Sequence, residues 1–528
     1  MQVKIIMRLV VAAASVLAAG ACFAQNGPGR ARIADGELQG ALSGGIVTFK
    51  GIPYAAPPVG EFRWRAPQPA PRWRGVRDAT IASPDCLQST GGMGHAESED
   101  CLSLNVWAPA TRARTAAPVM VWIHGGGFTG GSGSRYNGAA FARDGVVLVT
   151  INYRLGRLGF FAHPALAATN PEGSLANFGL MDQIAALKWV RANISAFGGD
   201  PRNVTIFGES AGAMSVNYLL TSPLARGLFD KAIAESGFAR ADGSSLAEAR
   251  ASATSFAKTL GVEGDGPPSA KALRALPAEA MIHDTPSIAS SDMIGPIIDG
   301  VVAKETVATA FSTGDQAHVP FIVGGNSFEA SLLPGVLKNP EGVLSRLGGK
   351  RDGAVVLFGG GDPAKAAANI VTLSPVIEPD RFQAREDAKA GVPAFIYYFS
   401  YLPLSVRSRV IGVGHGWEIA YVFDTLPKVD IPLPPSRQLN GIMVIAAATP
   451  EDEAVSRAVH AYWVAFARTG YPGAAGGPSW PAVSSAGDPV MEFGTDGPVV
   501  RPDFKKVELD IFAARADQAS GSDQSGQR

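Results

Sequence analysis

Short, almost continuous apolar runs recur along this chain of 528 residues, and they limit the folds it can adopt. Runs of this kind are typical of strands in a parallel sheet that is covered on both faces. Between two of them, residues 181–194 repeat apolar side chains at helical spacing, which predicts a helix with one apolar side. Alternating strands and helices predict an α/β fold with a large, mainly parallel central sheet flanked by helices. The predicted strands are residues 119–123, 146–151, 204–207, 321–323 and 394–399.

Two segments, residues 240–285 and 330–390, have a different composition. They are rich in alanine and charged residues and carry helical patterns, but few strand signals. We interpret them as helical insertions that cap the sheet and the site built on it, rather than as separate domains. Because no long Gly/Ser/Pro-rich linker interrupts the chain, residues 25–515 are predicted to form a single domain. The polar residues 516–528 are predicted to be a disordered tail.

The charge balance and the residue clusters narrow the possible partners. The formal net charge is −1, with no basic run and no acidic tail, so nothing favours a nucleic acid partner. No cluster of His and Cys has the spacing of metal ligands, and no dinucleotide-binding fingerprint stands out. We therefore expect neither a metal nor an organic cofactor.

Residues 1–24 have the features of a secretory signal peptide. Lys4 and Arg8 form a short basic region, residues 9–24 are almost wholly apolar, and polar residues follow. Removal of this segment would leave a mature protein in the periplasm or the extracellular space. A membrane anchor is the alternative, but the run is shorter than the about 20 residues of a span. Lipidation of Cys22 is disfavoured by the alanine three positions earlier, where such signals usually carry leucine. No later apolar stretch is long enough to cross a bilayer.

A serine between two glycines follows the third predicted strand. Residues 204–213 read V-T-I-F-G-E-S-A-G-A. This strand, G-x-S-x-G and helix pattern is typical of a nucleophile elbow, in which a sharp turn exposes the serine hydroxyl. Gly208 and Gly212 leave room for the turn, and the N-terminus of the following helix favours developing negative charge. The pattern predicts that Ser210 is a nucleophile.

A second glycine-rich motif, W-I-H-G-G-G-F at residues 122–128, continues directly from a predicted strand. Glycines allow bare backbone N–H groups to face a substrate oxygen, which is the task of an HGGG-type oxyanion loop. The predicted donors are the amides of Gly126, Gly127 and Ala211. His124, inside the motif, is expected to orient the backbone rather than to accept protons.

A serine nucleophile of this kind needs a histidine as its base, and the chain has seven histidines. In hydrolases with this elbow the chain order is serine, acid, histidine, so the base lies well downstream of Ser210. His415, in G-V-G-H-G-W-E, has glycines on both sides that let a loop present its ring. His460 also follows Ser210, but it lies in a run with a helical pattern, so we favour His415.

The acid that orients the histidine must lie between the serine and the histidine. Glu329 follows a predicted strand and a glycine turn, which suits an acid carried by a loop. Many acids lie in this interval, however, and Asp292 and Asp299 stay open as alternatives.

With these residues the chain resembles the carboxylesterase type B family, and its bacterial carboxylesterases in particular. The likeness covers nearly the whole mature chain. It is carried by F-K-G-I-P-Y-A-A-P-P-V-G-E-F-R-W (49–64), E-D-C-L-S-L-N-V-W (99–107), N-Y-R-L-G-R-L-G-F (152–160), F-G-G-D-P-R-N-V-T-I-F-G-E-S-A-G-A (197–213) and H-G-W-E-I (415–419).

The resemblance implies an α/β-hydrolase fold and the hydrolysis of small carboxylic esters through an acyl-enzyme. It implies Ser210 as nucleophile, His415 as base and Glu329 as acid. The family pattern also implies Gly126, Gly127 and Ala211 as oxyanion donors, and a disulfide that joins Cys86 to Cys101.

Three features depart from the family pattern. The acid lies in F-E-A rather than in a D-E-G-like context. Residues 90–96 lack the tryptophan that stacks on choline in cholinesterases, and residues 290–300 lack the aromatics that narrow their acyl pocket. We therefore expect a wider pocket and do not expect choline esters as substrates.

Other functions of the same fold stay open. A lipase or an amidase would use the same residues, so motifs do not distinguish them from an esterase. A non-catalytic, cholinesterase-like binding module is a further alternative, but such proteins typically lack the serine or the histidine, and here both are present. The natural ester, its acyl length and the oligomeric state are not defined by the sequence.

Overall fold

The computed structural model describes residues 29–89, 95–111, 113–170, 175–241, 243–282, 294–333, 335–426, 448–473 and 476–525, with side chains as far as residue 518. The predicted signal peptide, Cys22 and Asp292 lie outside these residues.

The strands of the described ranges form one large sheet and three small ones. They are β1 (Arg30–Ile33), β2 (Gly36–Gln39), β3 (Ala41–Ser43), β4 (Ile46–Pro53), β5 (Val76–Asp78), β6 (Asp85–Cys86), β7 (Glu97–Ser98), β8 (Ser103–Pro109), β9 (Ala117–Ile123), β10 (Val147–Ile151), β11 (Gly199–Glu209), β12 (Lys231–Glu235), β13 (Ser244–Ser245), β14 (Ile297–Ile298), β15 (Phe321–Asn326), β16 (Ala394–Phe399), β17 (Val490–Gly494) and β18 (Gly497–Arg501).

The large sheet has eleven strands in the order β3-β4-β8-β10-β9-β11-β12-β15-β16-β17-β18. Neighbouring strands from β10 to β17 are parallel, while β3, β4 and β8 at one edge and β18 at the other pair antiparallel. All five predicted strands are confirmed, as β9, β10, β11, β15 and β16. The prediction missed β12, because only three small or apolar residues separate its charged ends, Lys231 and Glu235.

The alternation of side chains along the sheet creates two apolar cores, one on each face. In β9, Val119, Val121 and Ile123 join one core, whereas Met120 and Trp122 join the other. All five are fully buried, which explains why the sequence shows a continuous apolar run rather than a polar alternation.

Helices cover both faces of this sheet. They are α1 (Ala139–Arg143), α2 (Gly156–Gly159), α3 (Pro164–Ala167), α4 (Phe178–Asn193), α5 (Ala211–Thr221), α6 (Leu246–Thr259), α7 (Pro267–Ala275), α8 (Val307–Thr313), α9 (Glu341–Leu344), α10 (Arg351–Gly359), α11 (Pro363–Thr372), α12 (Glu378–Lys389), α13 (Ile419–Val422), α14 (Pro450–Thr469) and α15 (Lys506–Ser525). The helix predicted at 181–194 corresponds to α4. Among the described residues, none of the helices is both long and apolar enough to span a bilayer.

Both predicted insertions are mainly helical where they are described, with one short strand, β13, in the first. The first contributes α6 and α7, whose Ala253 and Leu273 join a small apolar cluster with Trp64 and Phe178. The second contributes α9 to α12, and Gln383 Nε2 of α12 donates to Asn217 Oδ1 of α5, the helix that follows Ser210, at 3.0 Å. Each insertion therefore shares its packing with the sheet-bearing part of the chain.

The C-terminal segment is helical in its described part. α15 extends from Lys506 to Ser525, and residues 526–528 lie outside the described residues, whereas the sequence predicts a disordered tail from residue 516. Leu509 and Phe512, in the first two turns of the helix, are buried. The Phe512 ring stacks on Phe358 of α10 with centroids 5.2 Å apart. This packing anchors the first turns, and the polar composition used for the prediction does not reveal it.

Candidate active site

Ser210 occupies a strained turn between β11 and α5. Its φ and ψ are 57° and −123°, a left-handed conformation that is uncommon outside glycine and marks a nucleophile elbow when it follows a strand. The amide of Ser210 donates to the carbonyl of Glu235 at 2.9 Å, which ties the turn to β12. The side chain of Ser210 does not cap the helix that it precedes, so the hydroxyl is not used by the turn itself.

The two glycines of the elbow are required by close packing. A Cβ atom on Gly208 would lie 2.5 Å from the carbonyl oxygen of Ile123, and one on Gly212 would lie 2.0 Å from the same oxygen. Both distances are shorter than any tolerable contact. The end of β9 therefore presses against the elbow, and no side chain fits at either position.

The predicted oxyanion loop lies against this elbow. A Cβ atom on Gly125 would come within 3.1 Å of Ser210 Cβ, so the loop and the serine are in direct contact. Gly126 and Gly127 have φ angles of 104° and 63°, a backbone path that suits glycine. The Gly126 carbonyl accepts hydrogen bonds from Thr129 and Gly130 at 3.2 and 3.1 Å, which holds the loop in shape.

His124 supports the loop rather than titrating in it. Its ring stacks on Tyr153 with centroids 4.5 Å apart, and Nδ1 lies 2.9 Å from the carbonyl oxygen of Gly125. The hydroxyl of Tyr153 donates to the His124 carbonyl at 2.8 Å. Burial lowers the pKa of His124 to about 4, so the ring is neutral at physiological pH and donates from Nδ1.

His415 and Glu329 meet although 86 residues separate them. Nδ1 of His415 lies 2.5 Å from Glu329 Oε2. The other carboxylate oxygen, Oε1, accepts from Ser236 Oγ at 2.6 Å and from the Asn326 amide at 2.7 Å. The backbone amide of His415 donates to Ser331 Oγ at 2.8 Å. Both the carboxylate and the imidazole are therefore held by their surroundings.

The alternative acids and base do not join this arrangement. Asp299 Oδ1 accepts the amides of residues 301–303, which makes it the cap of its own turn. Asp292 lies outside the described residues. Nδ1 of His460 lies 2.7 Å from the Val422 carbonyl oxygen, and its Nε2 lies 3.2 Å from Asp144. His460 thus belongs to a different contact between α14 and the loop after α1.

The second nitrogen of the His415 ring faces a carboxylate that the sequence analysis did not single out. Nε2 lies 3.0 Å from Oε1 of buried Glu209, the residue directly before Ser210. Within the described ranges Nε2 makes no well-aligned hydrogen bond. Burial on its own lowers the pKa of His415, but the carboxylates of Glu209 and Glu329 outweigh it and hold the pKa well above its usual value. The two carboxylates therefore favour the charged form of the ring.

Two further buried carboxyl groups, Glu235 and Glu418, lie close enough to Glu209 for their charges to interact. Burial, followed by the charges of Glu209 and Glu329, raises the pKa of Glu418 to about 8. Burial and then Glu418 raise the pKa of Glu235 well above its ordinary range, and Trp463 Nε1 donates to Glu235 Oε1 at 2.8 Å. The raised pKa values favour the neutral, protonated form of both groups, which limits the negative charge next to His415. Sequence patterns did not identify Glu209, Glu235 or Glu418. Glu209 lies within the motif that carries Ser210, and Glu418 lies within the motif that carries His415.

The described residues contain no group of three or more His, Cys, Asp or Glu side chains arranged to hold a metal ion. Cys86 and Cys101 form the disulfide that the resemblance implies.

A mainly parallel sheet that presents a strained serine after a central strand, beside a glycine loop and a histidine–carboxylate pair, defines an α/β-hydrolase. The chain belongs to the Carboxylesterase family, whose model matches residues 29–346 and 362–512. It is an enzyme that hydrolyses carboxylic esters.

Several relatives share most of their length with this chain. Fumonisin B1 esterase of Sphingopyxis macrogoltabida is 36% identical over 478 residues, which cover 87% of this chain and 85% of that protein. Para-nitrobenzyl esterase of Bacillus subtilis (strain 168) is 35% identical over 475 residues, with coverages of 85% and 91%. The crystal structure of the Geobacillus stearothermophilus carboxylesterase EST55 superimposes with a TM-score of 0.77 at 32% identity, covering 92% of this chain and 99% of that one.

Proposed function

We propose that this esterase works through an acyl-enzyme on Ser210, with His415 as general base and acid and Glu329 as its orienting carboxylate. One observation carries the proposal. Nδ1 of His415 lies 2.5 Å from Glu329 Oε2, and Nε2 lies 3.0 Å from Glu209 Oε1. Because Glu209 directly precedes the strained Ser210, the ring lies beside the elbow. Glu329 supports the tautomer that carries its hydrogen on Nδ1, and this tautomer leaves Nε2 to accept a proton.

In the proposed reaction Ser210 Oγ attacks the ester carbonyl carbon, and His415 Nε2 takes the hydroxyl proton. The carbonyl oxygen becomes an oxyanion, which accepts hydrogen bonds from the amides of Gly126, Gly127 and Ala211. The Ala211 amide is the first of α5 and has no partner within its helix. Each donor of this kind typically contributes about 10²–10³ in turnover.

His415 then passes the proton to the leaving alkoxide, and the alcohol departs. A water molecule loses a proton to Nε2 and attacks the acyl carbonyl carbon. Nε2 then returns this proton to Ser210 Oγ as the carboxylic acid leaves, which restores both residues. For the first step Nε2 has to be neutral and has to turn from Glu209 toward Ser210. Catalytic hydrogen bonds are commonly long or poorly aligned before substrate binds and tighten in the substrate complex.

We further propose that the protein is exported, that residues 1–24 are removed as a signal peptide, and that residues 25–515 act as one domain. The Cys86–Cys101 disulfide supports export, because such bonds persist in oxidising compartments such as the periplasm and the extracellular space. The large sheet supports a single domain, since its strands come from residue 41 to residue 501.

Esters are favoured over amides and over lipid interfaces by the relatives, which are named as esterases. An amidase or a lipase would use the same nucleophile, so substrate profiling separates these activities. Small neutral esters such as p-nitrophenyl acetate are the appropriate first substrates.

The proposal is tested with a Ser210→Ala variant assayed on p-nitrophenyl acetate. We expect kcat to fall by at least about 10⁴-fold, because the nucleophile and its proton transfer are lost together. Ser222→Ala is the matched control, since Ser222 lies at the far end of α5 and its hydroxyl has no hydrogen-bond partner among the described residues. If Ser210→Ala retained the activity of the parent, the mechanism would be wrong.

A further inference from the structure

The segment after β12 contains two residues with left-handed backbone angles. Ser236 has a φ of 58° and Phe238 a φ of 47°. A bulky side chain at positive φ is a genuine outlier, and such strain persists where the surroundings impose it, often at functional sites. Glycine would fit the backbone at position 238 without strain, and the chain places a glycine only one residue earlier. Phe238 therefore keeps a strained backbone that a glycine at this position would relieve.

The segment is fixed on both sides of the ring. Ser236 Oγ donates to Glu329, the proposed orienting carboxylate, at 2.6 Å, and the Gly237 carbonyl accepts from Asn217 Nδ2 at 3.1 Å. Arg240 forms a two-pronged ion pair with Glu378, at 2.9 and 3.0 Å. The backbone that carries Phe238 is thus fixed before and after the ring, and one residue of this segment, Ser236, also holds the proposed acid.

The ring itself lies beside the proposed base. The centroids of the Phe238 and His415 rings are 5.9 Å apart, with the planes inclined by 56°. His415 is buried, whereas Phe238 is only partly buried. The phenyl ring therefore lies between the buried His415–Glu329 pair and solvent. During catalysis the reacting ester must come within hydrogen-bond reach of His415. A partly exposed phenyl ring 5.9 Å from the base therefore lies close to the path of the ester.

We infer that Phe238 is a specificity-determining residue of this esterase, which limits the size of the ester substituent that fits beside His415. The inference rests on the proposed function, since it presumes that His415 acts on the ester. It also alters the pocket expected from the sequence. The absence of aromatic residues at 290–300 predicts a wider pocket, but Phe238 places an aromatic ring beside the base from another segment.

The experiment compares Phe238→Ala with the parent on two ester series. One series varies the acyl group (p-nitrophenyl acetate against p-nitrophenyl trimethylacetate), and the other varies the alcohol (methyl butyrate against benzyl butyrate). The readout is the ratio of kcat/KM for the bulky ester to that for the small one. Both values come from the same sample, so a partial loss of folded protein cancels. We expect the ratio to rise about tenfold in at least one series, since pocket contacts of one or a few carbon atoms change selectivity by about 10–200-fold.

Two variants serve as controls. Phe238→Tyr keeps the ring and should keep the ratios of the parent. Phe256→Ala removes a partly buried phenylalanine of α6 that lies under the Arg157 guanidinium, 3.6 Å from the ring centroid, and it should leave both ratios unchanged.

The inference is overturned if both ratios of Phe238→Ala stay within threefold of the parent, or if Phe238→Tyr behaves like the alanine variant. Its failure is distinct from a failure of the proposed function. If only the inference fails, the parent hydrolyses the small esters and Ser210→Ala does not, while the ratios of Phe238→Ala stay unchanged. If the proposed function fails, Ser210→Ala is as active as the parent.

Discussion

At the scale of single residues, the charge state of His415 governs the site. Each ring nitrogen faces a carboxylate oxygen, Glu329 Oε2 at 2.5 Å and Glu209 Oε1 at 3.0 Å. An imidazole that has acceptors on both sides is stabilised in its charged form. A general base must instead be neutral, so the two carboxylates that surround His415 oppose the first chemical step at low pH.

This opposition leads to a prediction for Glu209→Gln. Activity appears as the pH rises through the pKa of His415, because only the neutral ring accepts the serine proton. Glu209 helps to hold that pKa well above its usual value, so removing its charge lowers the pKa. We expect the acid limb of the kcat/KM profile against pH to move to lower pH. Glu279→Gln, an exposed substitution, is the control, and an acid limb that does not move in Glu209→Gln would contradict the account.

At the scale of elements, the elbow depends on how closely β9 and α5 approach. The carbonyl oxygen of Ile123, the last residue of β9, occupies the space that a side chain on Gly208 or Gly212 would need. The strained conformation of Ser210 follows from this contact, since the chain must turn at once from strand into helix.

Gly212→Ala tests this packing. The added Cβ would lie 2.0 Å from the Ile123 oxygen, so β9 and α5 must separate, and we expect a loss of about 1–3 kcal/mol of unfolding free energy together with most of the activity. Gly353→Ala is the matched control, because Gly353 lies in α10 with no atom within 4 Å of the added Cβ. This control should raise the unfolding free energy by about 0.5–1 kcal/mol. Denaturant unfolding measures both, and equal effects of the two variants would contradict the packing argument.

The disulfide loop is a second element with a measurable contribution. Cys86 and Cys101 are both buried, and 15 positions separate them along the chain. Closing a loop of this length removes entropy from the unfolded chain that corresponds to about 3 kcal/mol. The double variant Cys86→Ser/Cys101→Ser should therefore unfold at lower denaturant concentration. An unchanged midpoint under oxidising conditions would show that the bond does not stabilise the fold.

At the scale of the whole molecule, the parallel sheet assembles the site. The oxyanion loop follows β9, Ser210 follows β11, Ser236 and Phe238 follow β12, and Glu329 follows β15. These four strands are neighbours in the sheet and run in the same direction, so their carboxyl ends meet at one edge. Segments that are far apart in the sequence thereby reach one another without a long structured loop.

The carboxyl groups buried at this edge should make the stability of the whole protein depend on pH. Burial first, and then the charges of Glu209 and Glu329, raise the pKa of Glu418 from 4.5 to about 8. Between these pH values the folded state holds a proton that the unfolded chain has released, so the unfolding free energy should fall as the pH rises. The slope for one such proton is up to about 1.4 kcal/mol per pH unit.

Denaturant unfolding between pH 5 and about 8 measures this slope. Glu418→Gln keeps an oxygen that can accept from Asn326 but has no proton to release, so its slope should be flatter than that of the parent. The exposed Glu279→Gln should keep the parental slope. Equal slopes for the parent and Glu418→Gln would show that Glu418 does not hold its proton.

The parts of the site that can be predicted from the sequence are those coded by local patterns. Gly208 to Gly212 and the loop at 124–128 depend on short-range sterics, so their motifs are visible without coordinates. His415 could be favoured from chain order and its flanking glycines, and Glu329 was separated from Asp292 and Asp299 only by the resemblance. The contact between Glu209 and His415, and the strained ring of Phe238, depend on packing between distant segments and leave no local pattern. β12 was missed for a local reason, because its charged ends leave an apolar run of only three residues.

The proposed mechanism requires that the hydroxyl of Ser210 becomes covalently acylated. Its most direct test is mass spectrometry of the peptide that contains Ser210 after brief reaction with an organophosphate or with p-nitrophenyl acetate quenched in acid. We predict a single adduct on Ser210 in the parent, formed much more slowly in His415→Ala, because the neutral base is then missing. An adduct on another residue, or ester turnover with Ser210 unmodified throughout, would contradict the central claim.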